Sequence, residues 1–328
     1  MNASVSYDLG DERLNAEVSA GLANVELRLT QAVKSDDDFV SAAARHLVDA
    51  GGKRFRPLLA VLAANLGDPA APGVTDAAVV VELTHLATLY HDDVMDEADT
   101  RRGVDTVNAR WGNLQAILAG DFLLSRASEI AASLGTEVAG LLARTIGRLC
   151  EGQIEELRHT YNAARPEPSY LSSISGKTAS LYATAARIGG LVAELDRPII
   201  DALTEYGEAY GMVFQIVDDL LDITATDEQL GKPAGHDMVE GVYTLPVLRT
   251  LQAGGVAAVE LNALLGKPLD MAEREKALGI VRSNGGFTAA MSVAREWADR
   301  AEAACELLPA SVATDVLRAA PSALLASL

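Results

Sequence analysis

The sequence predicts an all-α fold, and three observations carry that expectation. From about Leu14 onward apolar residues recur at the three- and four-residue spacing of helix faces, alternation with a period of two is nearly absent, and alanine and leucine, both strong helix formers, are abundant. No strand is expected.

Residues 1 to about 12 read as a frayed lead-in, followed by amphipathic helices over Leu14 to Val33 and Asp38 to Val48. The capping-rich Ser35-Asp36-Asp37-Asp38 opens the second, and Gly51-Gly52 stops it. Lys53-Arg54-Phe55-Arg56-Pro57 then sets three cations at the start of a helix running to Leu66, with Pro57 tolerated in its first turn. A helix N-terminus carrying cations suits a phosphate. After a Pro/Gly-rich loop from Gly67 to Gly73 comes a long helix from Thr75 to Asp96, which bears His85. Helices follow over Asn113 to Ser133 and Thr136 to Arg158, then a polar connection from His159 to Pro168. Ser175-Gly176-Lys177-Thr178 lacks the earlier glycine and the preceding strand of a nucleotide-binding P-loop, but it sets Lys177 in a helix rich in small residues, Ala179 to Gly190. Pro198 opens the helix that reaches Ile223, and Thr224 to Gly241 is a long polar loop holding Lys232, of the kind that serves as a lid. Leu245 to Leu251, Ala272 to Ser283 and Phe287 to Leu307 complete the helices. Nothing divides the chain in composition, so residues 1–328 are expected to form a single catalytic domain.

The 46 acidic against 27 basic residues give a formal charge of −19, which argues against nucleic acid and against electrostatic attachment to anionic lipid. Any anionic substrate must therefore meet locally basic ground. Cys150 and Cys305 fit neither a disulfide framework nor a metal-ligand spacing. The N-terminus has no signal-peptide profile, and no run of about eighteen uncharged apolar residues offers a membrane span, so a soluble, cytoplasmic protein is expected.

Two stretches carry the chemistry. In Gly211 to Ile223, GMVFQIVDDLLDI, the residues beyond Gly211 are apolar except Gln215, Asp218, Asp219 and Asp222, which share one helical stripe. Crowded carboxylates in apolar surroundings repel one another and lose hydration, so they call for bound cations. The same DDxxD spacing occurs at Asp92, Asp93 and Asp96, after the apolar run Val79 to Tyr90, with Arg101 and Arg102 just beyond. An oxygen-only donor set favours a hard ion such as Mg²⁺, which typically adds waters and substrate phosphates to a few carboxylates. The metal thus implies a phosphorylated ligand.

Together with GGKRFRP, HDDVMDEADTRRG, GKTASL, FQIVDDLLD and GKPAGHD, in that order, the chain resembles the trans-isoprenyl diphosphate synthases, or polyprenyl synthetases, of the medium- to long-chain type, over roughly residues 51 to 246. The resemblance implies an isoprenoid synthase-like bundle of about ten or more helices around a central cavity, usually as a homodimer. It implies three Mg²⁺ ions held by Asp92, Asp93, Asp96, Asp218, Asp219 and Asp222, with Arg101, Lys177, Thr178, Gln215 and Lys232 assisting an allylic diphosphate. Isopentenyl diphosphate would bind Lys53, Arg56, His85 and Arg102. The reaction implied is metal-assisted ionisation of the allylic primer and head-to-tail elongation to a linear polyprenyl diphosphate, a precursor of quinone side chains. Release of so apolar a product implies transient contact with a membrane. A geranylgeranyl or farnesyl diphosphate synthase is the nearest alternative, with a class I terpene cyclase or a non-catalytic subunit behind it. Where many members carry a second lysine, this chain has Val242. Product length would be set by Ala87 and Thr88, about one helical turn before Asp92, with Ile117, Leu118 and Phe122 as deeper floors.

Overall fold

Asp11 accepts a hydrogen bond from the Leu14 N–H at 2.8 Å and starts α1 (Glu12–Ala32), whose buried stripe of Leu14, Val18, Leu22, Val25 and Leu29 keeps helical spacing. In this computed structural model residues 7–224 and 234–328 are described. Asp37 caps α2 (Asp38–Asp49) in the same way, accepting from the Val40 N–H at 3.0 Å. A left-handed Arg54, φ 49°, turns the chain into α3 (Phe55–Ala64), and α4 (Val74–Met95) follows, buried along most of its length. Then come the short α5 (Val107–Trp111), α6 (Asn113–Ser133), α7 (Thr136–Arg158) and α8 (Glu167–Ile174). A π-helical turn, Ser175–Ala179, joins α8 to α9 (Ser180–Val192), and α10 (Arg197–Thr224) carries the second aspartate stripe. Helices at His236–Val239, Leu245–Gln252, Gly255–Leu264, Met271–Ser283, Gly286–Ala304 and Val312–Leu325 complete the described chain.

By internal contacts the chain divides into two compact units, Met1–Ile146 with Leu181–Thr204 and Leu307–Val316, and Gly147–Ser180 with Glu205–Glu306 and Leu317–Leu328. In the first, α4 packs on α1, α3 and α6, and Val79, Val80, Val81, Leu83 and Leu86 lose all exposure. In the second, Tyr170, Ile216, Leu220, Tyr243, Leu248 and Leu278 belong to one apolar core.

The all-α expectation holds, with differences in detail. Thr100–Arg101 and Val104–Asp105 form a small antiparallel ladder, so a strand pair exists where none was expected. Arg102 and Gly103, φ 54° and 77°, supply the two left-handed residues that a tight hairpin requires. Gly255–Leu264 and Val312–Leu325 were not predicted as helices. Of the first, only Ala258 and Leu261 are buried while Val256 and Val259 are 76% and 71% exposed, so its apolar residues trace no core stripe. The second contains Pro321, which reads locally as a breaker.

Candidate active site

Within the first unit, the end of α4 presents the first aspartate cluster. Asp92 is half-buried, Asp96 is exposed, and Asp93 is 1% exposed, its Oδ1 receiving the Arg101 Nε–H at 2.5 Å. Among the described residues nothing hydrogen-bonds the buried Asp93 Oδ2. Burial pushes the Asp93 pKa up, and the neighbouring Arg101 opposes that rise. Asn108 ties the turn behind the cluster, its amide donating to the carbonyls of Asp93 at 3.1 Å and Ala98 at 3.0 Å.

The same unit gathers the expected basic ground. Arg56 stacks on Tyr182, guanidinium to ring centroid 4.6 Å, with a buried Nε that has no partner among the described residues. Arg102 reaches back to the carbonyls of Gly51 and Leu47, and its guanidinium lies 2.8 Å from where a Cβ on Gly52 would sit; Gly52 itself holds φ 146°, a backbone conformation that favours glycine. Burial, then Arg56, Arg102, Arg101 and Arg54, lower the His85 pKa well below its usual value. His85 is therefore a neutral imidazole amid arginines. Lys53 is exposed, 5.8 Å from the Phe55 ring, and its carbonyl accepts from the Tyr7 hydroxyl.

Arg54 departs from the reading of three cations facing an anion. It is 3% exposed and spends its donors on Glu26 at 2.5 and 3.2 Å, Glu82 at 2.6 Å and the Val48 carbonyl at 3.2 Å. Two carboxylates neutralise it, so it anchors the left-handed turn.

In the second unit, α10 carries a buried polar chain. Thr178 donates to Gln215 Oε1 at 2.7 Å, Gln215 Nε2 donates to Asp219 Oδ1 at 2.9 Å, and the Tyr170 hydroxyl donates to Asp219 Oδ2 at 2.5 Å. Asp219 and Asp222 are 3% and 4% exposed, whereas Asp218 is exposed. Burial, followed by Asp237, pushes the Asp219 pKa well above the carboxylate range, against the pull of Tyr170 and Gln215. The Gly235 N–H closes on the Asp222 carbonyl at 2.8 Å. Lys177 pairs with Glu156 at 2.6 Å. Its place depends on a close crossing of α7 and the π turn: a Cβ on Gly152 would fall 2.4 Å from the Lys177 nitrogen, and one on Gly176 would fall 2.7 Å from the Arg148 carbonyl.

Lys232 lies outside the described residues. Val242 is half-buried, and its N–H donates to the Asp237 carbonyl at 2.8 Å. Ala87 is fully buried, and Thr88 donates to the His85 carbonyl at 2.7 Å. Ile117 and Leu118 are 40% and 66% exposed. Phe122 is half-buried and stacks on Arg126 at 4.9 Å. Tyr170, Glu156 and Arg165 went unread in the sequence, because a tyrosine, a glutamate and an arginine away from the aspartate stripes carry no local pattern.

The residues fit a hard divalent cation. The donors are carboxylate oxygens, the Asp93 Oδ2 lacks a hydrogen-bond partner among the described residues, and burial disfavours the charge on Asp93 and Asp219 in a way that a cation would offset. Among the described residues no three acidic, histidine or cysteine side chains converge on one point, so waters and substrate oxygens would complete each coordination shell.

Comparison with known proteins agrees with this geometry. The polyprenyl synthetase family model matches residues 37–281. The nonaprenyl diphosphate synthase of Mycobacterium tuberculosis is 43% identical over 304 residues, covering 92% of this chain and 91% of that protein. A polyprenyl synthase from Caulobacter crescentus, solved with calcium and isoprenyl diphosphate, superimposes with a TM-score of 0.90 at 33% identity, covering 98% of each chain. A geranylgeranyl pyrophosphate synthase from Corynebacterium glutamicum, also solved with calcium and isoprenyl diphosphate, gives 0.87 at 40% identity, covering 97% of this chain and 98% of that one. The carboxylate stripes, the basic cluster and these matches together place the chain in the polyprenyl synthetase family, as an all-α prenyltransferase.

Proposed function

We propose that this chain condenses isopentenyl diphosphate with an allylic diphosphate primer, head to tail, and repeats the step to a medium or long linear polyprenyl diphosphate. The observation that carries the reading is the cluster of Arg56, His85, Arg101 and Arg102 beside a buried carboxylate with an unpartnered oxygen, in a chain of charge −19. So acidic a protein collects arginines in one place to hold an anion.

Asp92, Asp93 and Asp96 with Asp218, Asp219 and Asp222 would hold the divalent ions, three Mg²⁺ in this reading. Bound Mg²⁺ would neutralise the diphosphate as it departs from the allylic carbon. Arg101, Lys177, Thr178, Gln215 and Lys232 orient that diphosphate. Lys53, Arg56 and Arg102 take the isopentenyl diphosphate by charge-assisted bonds, and neutral His85 serves as a hydrogen-bonding group without adding a cation. The fully buried Leu83, Leu86, Ala87 and Tyr90 of α4 supply apolar packing that keeps water from the carbocation.

Both units are proposed to act as one catalytic domain. A homodimer is part of the proposal, and what supports it is α6, where Leu114, Ile117 and Leu118 are 73%, 40% and 66% exposed, an apolar patch that a second copy would cover. Covering it would also enclose Ile117 and Leu118 as floors for the growing chain. No helix among the described residues is long and apolar enough to cross a membrane; a cytoplasmic location, with lipid met as product leaves, is part of the proposal.

Incubation with isopentenyl diphosphate, allylic primers and Mg²⁺, followed by mass analysis, tests the reading. A ladder of linear diphosphates beyond four isoprene units supports it, accumulation at four assigns a geranylgeranyl synthase, and a cyclic hydrocarbon formed without isopentenyl diphosphate sinks it. Asp92→Ala and Asp218→Ala should each stop most turnover in a folded protein, and wild-type rates would remove the metal assignment.

A further inference from the structure

Arg165 is a buried cation that the reaction as described does not use. It is 4% exposed, yet among the described residues it makes no ion pair, and its Nε is buried without a hydrogen-bond partner. Its Nη2 donates to Ser173 Oγ at 2.6 Å, Ser173 Oγ donates to the Tyr170 carbonyl at 2.8 Å, and its guanidinium lies 5.5 Å from the centroid of the Tyr170 ring. Tyr170, itself 1% exposed, ends the sequence by donating its hydroxyl to Asp219 Oδ2 at 2.5 Å. Burial lowers the Arg165 pKa, and the neighbouring Glu156, Tyr170 and Asp219 act against that lowering, which places the cation within electrostatic reach of the Asp219 carboxylate.

We infer that Arg165 and Tyr170 are positioning residues for Asp219, Arg165 fixing the ring and Tyr170 fixing the carboxylate for a divalent cation. The inference rests on the reading of Asp219 as a metal ligand. A cation near an aromatic ring attracts its electron density and makes the phenolic O–H a stronger donor. Ser173 clamps the guanidinium and the Tyr170 main chain together, so ring and cation cannot drift apart. With Oδ2 held by Tyr170 and Oδ1 by Gln215, Asp219 keeps one rotamer and offers its remaining lone pairs to the ion. Partners that orient a ligating carboxylate typically matter about 10- to 100-fold in metal affinity. A merely structural Arg165, pinning residues 159–166 to α8, would affect folding stability alone.

The test is Mg²⁺-dependent binding of inorganic pyrophosphate to the full chain, by calorimetry, in wild type, Tyr170→Phe, Arg165→Gln and the double variant. Each single variant should raise the Mg²⁺ concentration for half-maximal binding about tenfold. The double variant should lose no more than the worse single one, because Arg165 acts through Tyr170. Wild-type Mg²⁺ dependence in Tyr170→Phe overturns the inference, and so do losses that multiply in the double variant. Tyr170→Phe removes one oxygen and keeps the ring, so it decides the matter even if Arg165→Gln fails to fold. Wild type that binds pyrophosphate without regard to Mg²⁺ would overturn the metal reading of Asp219 and the inference with it.

Discussion

His85 shows how far one residue can be read from its neighbours. Its position, seven residues before Asp92, made it a candidate ligand, but only the structure shows burial and four arginines holding it neutral. The sign of its effect on stability follows. In the unfolded chain it takes up a proton near pH ~6.5, whereas in the folded chain it resists until well below that value, so between the two the unfolded state binds more protons. Its contribution is complete above ~6.5 and is lost as pH falls, at up to ~1.4 kcal/mol per pH unit. Urea unfolding from pH 7 to 5 should therefore show a shallower acid loss in His85→Gln than in wild type. Equal slopes would mean that His85 titrates normally. Arg54 teaches the converse: three basic residues in a row of four looked equivalent, and burial between Glu26 and Glu82 separated one of them.

At the scale of elements, α7 crosses the π turn at a contact that leaves no room for a side chain. A methyl on Gly152 would meet backbone atoms at 2.4, 2.7 and 2.9 Å, and backbone cannot swing aside as a side chain can. Gly152→Ala should destabilise by ~1–3 kcal/mol in urea and shift Lys177, weakening pyrophosphate binding; unchanged midpoint and affinity would show that the crossing has slack. Along α4, Ala87→Phe should shorten the product, because a ring placed at a fully buried position fills volume that a growing tail needs. The same product distribution from a folded, active variant would remove Ala87 from control of length. Long helices were legible because their apolar periodicity and caps are local: Asp11 and Asp37 cap where sequence expects caps. The π turn was not: it sits where Gly152 approaches Gly176, a pairing of residues distant in the chain that local pattern does not reveal. The Thr100–Asp105 hairpin lay between. Gly103 is a turn signal, but two-residue strands have no periodicity to read.

At the scale of the whole molecule, both aspartate stripes were legible because six carboxylates in apolar helices contradict their surroundings, whereas Tyr170 and Arg165 agree with theirs and so stay silent until placed. The arginine cluster has a further consequence for the rate at which substrate arrives. A chain of formal charge −19 repels a diphosphate from afar, while Arg56, Arg101 and Arg102 attract it once near. Dissolved ions damp the distant repulsion before the close attraction, since screening reaches ~10 Å at 0.1 M salt. Capture of isopentenyl diphosphate should therefore quicken as salt is first added and slow only at higher concentration, and stopped-flow traces in which salt slows association from the outset would mean that the local field already governs the approach from bulk water.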